Sequence, residues 1–98
     1  MASSSIEHDP AAMQFFVRST TSKGEVAHLD YSLDKNSDSM DLYHTFVPPS
    51  LRGGGIAAKL CDHAFDYADE KGFKIVPSCS YVSDAYLRKN PHRSKSCL

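Results

Sequence analysis

The run Arg52-Gly53-Gly54-Gly55-Ile56-Ala57 has the residue types of a backbone anion site. Glycines let a main chain approach a ligand closely and turn through conformations closed to other residues. A helical apolar pattern starts directly after them. The first N–H groups of a helix have no acceptor of their own, and its dipole adds partial positive charge there. A diphosphate laid across residues 52–57 would satisfy those donors, with the Arg52 guanidinium beside it. Two familiar phosphate loops do not fit. Lys59 follows Ala58 without GxxxxGK[ST] spacing. Gly53, Gly55 and Ala58 match the form of a dinucleotide fingerprint, yet the next strand runs into Pro77-Ser78-Cys79 where that fold needs an acidic residue, and too little chain remains. From the residues alone, a glycine-rich turn that binds nothing stays open.

Cys61, Cys79 and Cys97 are an odd set with no CxxC and no Cys/His pair at zinc spacing, so no metal site is expected. The first eight residues show neither a basic nor an apolar secretory region, and the thiols are expected to be reduced, inside a cell. Cys61 falls on the apolar stripe of a helix and reads as packing. Cys79 lies just past a short strand. It reads either as a small packed residue or as a nucleophile. His44 sits on a strand, expected on the same face as Leu42 and Phe46, where an imidazole is either a packed residue or a base that exchanges protons near neutral pH.

The elements that must position these groups follow from periodicity. The 98 residues carry 11 Lys+Arg against 12 Asp+Glu, with 41% hydrophobic residues, which points to one ordinary globular domain without a basic footprint for nucleic acid. No apolar run is long enough to cross a membrane. Residues 1–11 read as a flexible tail, 12–91 as the domain, and 92–98 as a second flexible tail. Met13 to Arg18 is a β-prone run, and Lys23-Gly24 a turn. Over residues 25–33, Ala27, Leu29, Tyr31 and Leu33 alternate with polar residues at period two. Residues 40–47 place Met40, Leu42, His44 and Phe46 on one face and Tyr43, Thr45 and Val47 on the other, the pattern of a central strand covered on both sides. Pro48-Pro49 ends it. Over Ile56 to Lys71, Ala57, Leu60, Cys61, Ala64, Phe65 and Ala68 form a helical stripe, with Gly72 in the position that closes a helix. Residues 73–76 form a short strand, and residues 80–89 a second helix stopped by Asn90-Pro91. The order β-β-β-α-β-α makes this an α/β (α+β) mixed-sheet protein.

Arg52, Gly55 and Ala57 spell R-x-x-G-x-A between a strand and a helix, and this resembles the acetyl-coenzyme A diphosphate loop of the GNAT acetyltransferase superfamily. Residues 43–48, 52–57, 77–82 and 88–91, in that order, resemble the small single-domain YjdJ-type members, including plant ones, over about residues 13–91. The resemblance implies a minimal GNAT-like fold with a crossover helix and a splay between the two parallel strands at residues 40–47 and 73–76. The pantetheine arm would run along backbone near Phe46 and Val47, as an added strand does. The diphosphate would rest on Gly53, Gly54, Gly55, Ile56 and Ala57, beside Arg52.

Acetyl transfer to an amine needs a neutral nucleophile, a donor for the developing oxyanion and an acid for the leaving thiolate. The resemblance puts Cys79 at the thioester end of acetyl-coenzyme A, as a candidate acetyl carrier, with His44 as its base. Direct transfer is the rival mechanism: the strand offers Asp41 rather than the glutamate base of many members, which weakens it. Tyr86 lies in a stretch resembling the usual tyrosine acid but reads also as a ring packing the second helix onto the sheet. The expected acceptor is a small amine, or a lysine or N-terminus of a protein partner. The implied activity is weak, because the usual N-terminal substrate elements are absent. The expected molecule is a monomer or weak dimer in the cytoplasm or nucleus, and Ser96-Cys97-Leu98 only loosely resembles a peroxisomal address. A coenzyme A sensor or adaptor without catalysis is the alternative function.

Overall fold

The computed structural model describes residues 6–19 and 24–98. The Lys23 half of the expected turn and the first five residues of the expected tail lie outside them. A five-stranded sheet is built from β1 (Glu7–Asp9), β2 (Gln14–Arg18), β3 (Val26–Asp34), β4 (Ser39–Phe46) and β5 (Lys74–Val76). The strands lie in sequence order; the first four are antiparallel neighbours, and β5 runs parallel to β4. The parallel step requires a crossover, supplied by α1 (Ile56–Lys71). A 3₁₀ turn, Pro49–Leu51, leads into the glycine run. The second helix takes the form of a π-helical stretch, Tyr81–Tyr86, passing into one α-turn, α2 (Leu87–Lys89), and a 3₁₀ segment, Pro91–Ser96, closes the chain.

The core forms between α1 and one face of the sheet. Leu60, Cys61, Ala64, Phe65 and Ala68 are buried on α1 as the stripe requires, and Ile56 is buried where the pattern has Ala57. From the sheet come Phe15, Val17, Ala27, Leu29, Tyr31, Met40, Leu42 and Ile75. Each buried large side chain contributes on the order of 1.5–3 kcal/mol. Gly72 closes α1 at φ 79°, and Phe73 N–H reaches back to the Ala68 carbonyl at 2.8 Å.

Three expectations are corrected. Residues 7–9 of the expected N-terminal tail form an edge strand, because His8 stacks on Phe15 at 4.0 Å and is hydrogen-bonded to the Tyr31 hydroxyl at 2.7 Å. The expected C-terminal tail is fastened as well. Arg93 contacts Asp66 and Asp69 of α1 at 2.9 and 3.6 Å, and Leu98 N–H reaches the Ile75 carbonyl at 2.8 Å. The third correction concerns β4. Asp30 faces His44 but Tyr31 faces Leu42, so Tyr43 is an extra residue, a β-bulge. Alternation restarts across it. Met40 and Leu42 point into the core, but Thr45 follows them there, while His44 and Phe46 turn to the opposite, exposed face. Among the described residues, no helix packs on that face as the reading of β4 expected.

Candidate functional site

β4 and β5 pair through only three registers, Ser39 with Lys74, Met40 with Ile75 and Asp41 with Val76. One further bond, Cys79 N–H to the Leu42 carbonyl at 2.9 Å, holds the chain after β5 near β4. Beyond the Tyr43 bulge the strand ladder does not continue, and β4 runs on to Phe46 with its β5 side unladdered among the described residues. The gap opens toward the start of α1.

There a cavity of about 210 Å³ is lined by Val47, Leu51, Arg52, Gly53, Gly55, Ile56, Ala57, Ala58 and Tyr81. Gly53 and Gly55 have φ of 90° and 73°, the left-handed region that glycine alone enters without strain. Gly55 caps α1 with no side-chain hydrogen bond, and the first main-chain bond of the helix is Lys59 N–H to the Gly55 carbonyl at 3.1 Å. The N–H groups of residues 56–58 therefore have no acceptor within the helix, and all three residues line the cavity. No acidic residue lies in that first turn to compete for them. Arg52 turns back, its Nε donating to the Val47 carbonyl at 2.8 Å, which ties the guanidinium to the end of β4.

Of the residues read from sequence, Val47, Arg52, Gly53, Gly55, Ile56 and Ala57 line this cavity; Gly54 and Phe46 do not. Phe46 turns its ring away, to the sheet face that carries His44. The sequence reading missed Leu51, Ala58 and Tyr81. Tyr81 lies inside the 77–82 block of the resemblance, two residues after Cys79, but nothing in its residue type singled it out. Its hydroxyl pKa is pushed up, first by burial and then by Cys61, Asp62 and Cys79, so it stays a protonated O–H.

Cys79 is half-buried, its Sγ 3.5 Å from the Thr45 hydroxyl, on the helix side of the sheet. His44 is exposed on the other side, its ring 5.5 Å from that of His28. The expected pairing of His44 with Cys79 is therefore not formed: the bulge at Tyr43 moves His44 off the face it was expected to share with Leu42. Cys61 is fully buried, its thiol pushed up to about 12 chiefly by burial, as its packing role requires. Tyr86 is buried too. Its hydroxyl donates to Asp62 and its ring packs on Phe65 at 5.2 Å, while burial and the Asp62 bond raise its pKa, so it braces the second helix against α1. Asp41 has a buried Oδ1 without a hydrogen-bond partner among the described residues, at the last register before the strands part.

This architecture is that of a known class. Residues 14–96 match the family model of the GCN5-related N-acetyltransferases. The chain belongs to that family, whose members generally bind acetyl-coenzyme A and transfer its acetyl group. It is similar to protein NATD1 of Danio rerio, at 33% identity over 87 residues covering 89% of this chain and 76% of that protein. It is also similar to protein NATD1 of Homo sapiens, at 35% identity over 86 residues, 88% of this chain and 74% of the relative. The solution structure of a GCN5-like protein from Staphylococcus aureus superposes with a TM-score of 0.73 at 24% identity, over all of this chain and 91% of that one, a likeness of fold. Among the described residues no helix is long and apolar enough to cross a membrane.

Proposed function

We propose that this protein is an acetyl-coenzyme A-dependent N-acetyltransferase acting on amines, with Cys79 as a transient acetyl carrier. The observation that carries the reading is the cavity at the open end of the β4–β5 gap, where two left-handed glycines and the uncapped start of α1 offer main-chain donors. The diphosphate of the cofactor lies on the amides of residues 53–57, with Gly54 as an exposed loop position. The pantetheine arm passes beside Phe46 and Val47 into the gap. One lone pair of the Val47 carbonyl is already taken by Arg52, so the arm is held there by the remaining backbone groups. The acetyl end then comes near Cys79 and Thr45.

In the first step the Cys79 sulfur attacks the thioester carbonyl, the coenzyme A thiolate leaves, and acetyl is held on Cys79 as a new thioester. Thr45, the side chain that touches the thiol, orients it. The proton of the Cys79 thiol goes to the departing coenzyme A sulfur, relayed by the Tyr81 hydroxyl, which burial keeps protonated before and after the transfer. A neutral amine then takes the acetyl group and the Cys79 thiol is restored. The acceptor approaches an uncovered side of the sheet, which fits a small amine or a protein lysine and low selectivity.

Intact-protein mass spectrometry after incubation with acetyl-coenzyme A tests this. The expected result is one acetyl adduct, labile to hydroxylamine and absent from Cys79→Ser. Full amine acetylation by Cys79→Ser instead selects direct transfer, with Asp41 as base, a second reading that the unpartnered Asp41 oxygen supports. Cofactor binding with neither adduct nor product indicates a sensor, and no binding at all overturns the reading of the glycine cradle.

A further inference from the structure

The sheet face opposite α1 holds a second cluster that the acetyl-transfer reading does not use. His28 and Asp30 lie two apart on β3 and so project from the same face, and the register puts His44 of β4 directly across from Asp30. Among the described residues, one nitrogen or oxygen from each of the three lies within 4.8 Å of those of the other two. The His28 Nδ1 and Asp30 Oδ1 atoms are 3.1 Å apart. Two ligands bound to one zinc ion at about 2.1 Å in tetrahedral geometry lie about 3.4 Å apart, so this edge is within a few tenths of an ångström of coordination spacing.

The surroundings hold the donors in place. Gln14, opposite Asp30 on β2, donates its Nε2 hydrogen to Asp30 Oδ1 at 2.9 Å and fixes the carboxylate. Phe46 packs against the His28 ring at 5.8 Å. The side chains of His28 and Asp30 are only 23% and 18% exposed, whereas His44 faces solvent, so the cluster has a sheltered floor and an open mouth. Three donors come from two adjacent strands and their bracing from a third, which makes the arrangement rigid without any loop.

We infer that His28, Asp30 and His44 form a binding site for a divalent transition ion of the zinc type. Two imidazoles and one carboxylate suit zinc and its neighbours; calcium and magnesium need an all-oxygen set, and the softest ions need thiolates. Three protein ligands leave at least one coordination position for water or an exchangeable ligand. Asp30 contributes the negative charge that an ion paired with neutral imidazoles requires, and Gln14 plays the part of the outer hydrogen bond that orients metal ligands. A bound ion ties β3 to β4 beside the Tyr43 bulge. The spacing argument against a metal site considers ligands close in sequence, whereas these three converge across two strands.

The test is calorimetric titration of the full-length reduced protein with Zn²⁺, alongside Co²⁺ absorption spectra. The expected result is one site with a nitrogen/oxygen-type cobalt spectrum and no thiolate charge-transfer band. His28→Asn and His44→Gln each weaken Zn²⁺ by more than about 100-fold, and Gln14→Ala by about 10-fold, in line with loss of an orienting partner. Asp30→Asn, which keeps the shape of the side chain, weakens it as well and guards against a folding artefact. Imidazole NMR signals of His28 and His44 shift with Zn²⁺, and those of His8, His63 and His92 do not. A thiolate cobalt spectrum overturns the site. So does Zn²⁺ affinity unchanged in both histidine variants, or no binding at millimolar Zn²⁺.

Discussion

His8 is wedged among aromatic rings at the outer edge of the sheet, stacked on Phe15 and edge-on to Tyr67 at 4.5 Å. Burial lowers its pKa below the usual 6.5, with Asp9 opposing the shift in part. The unfolded chain therefore binds a proton at His8 more readily than the folded one, and folding free energy is lost as pH falls below 6.5 toward the lowered folded value. β1 has little else: it is three residues long, and the Glu7–Arg18 ion pair at 3.2 Å is solvent-exposed and worth little. Amide hydrogen exchange at residues 7–9 is therefore expected to speed up between pH 7 and pH 5 beyond the intrinsic pH effect. The same residues in His8→Phe should show no such acceleration; equal acceleration in both would remove His8 as the latch.

At the scale of elements, two glycines flank α1 in the same left-handed conformation, Gly55 at φ 73° and Gly72 at φ 79°. Neither has any atom within 4 Å of where a Cβ would sit, so alanine there meets backbone strain and no crowding. Gly55→Ala and Gly72→Ala are each expected to lower unfolding free energy by about 1–2 kcal/mol in urea titrations. Only Gly55→Ala is expected to weaken coenzyme A binding, because only Gly55 borders the cavity. Equal binding by the two variants would mean that the cavity does not hold the cofactor. The helix, its caps and the loop before it were legible because each depends on neighbouring residues: a 3.6-residue stripe, a glycine past its end, prolines before its start. The bulge at Tyr43 was not. Nothing in Leu42-Tyr43-His44-Thr45 marks where alternation slips, since both faces carry apolar residues and the pattern does not specify one register.

For the whole molecule, one core joins α1, the inner sheet face and the second helical stretch through Val82 and Tyr86. Cys61 lies within it with no exposed surface, whereas Cys79, just past β5, is half-buried. Burial keeps the Cys61 thiol protonated up to about pH 12, so reagent must wait for the core to open. In pulsed alkylation at pH 8, Cys79 is expected to react at least about tenfold faster than Cys61. Cys61 labelling should follow the unfolding transition in urea, as a group released only by global opening does. Fast native-state labelling of Cys61 would show that α1 opens locally.

Local order was written in the chain: the glycine cradle, the α1 stripe, the alternation of β3 and the family likeness all rest on residues near one another in sequence, where sterics and periodicity act directly. What lay beyond it was every relation that crosses strands. The latch of β1 on Phe15 and Tyr31, the fastening of the C-terminus to α1, and the parting of Cys79 from His44 depend on register. A one-residue bulge reverses which face a side chain joins. Because side chains alternate with a period of two, that single slip took His44 from the helix side and set it beside His28 and Asp30.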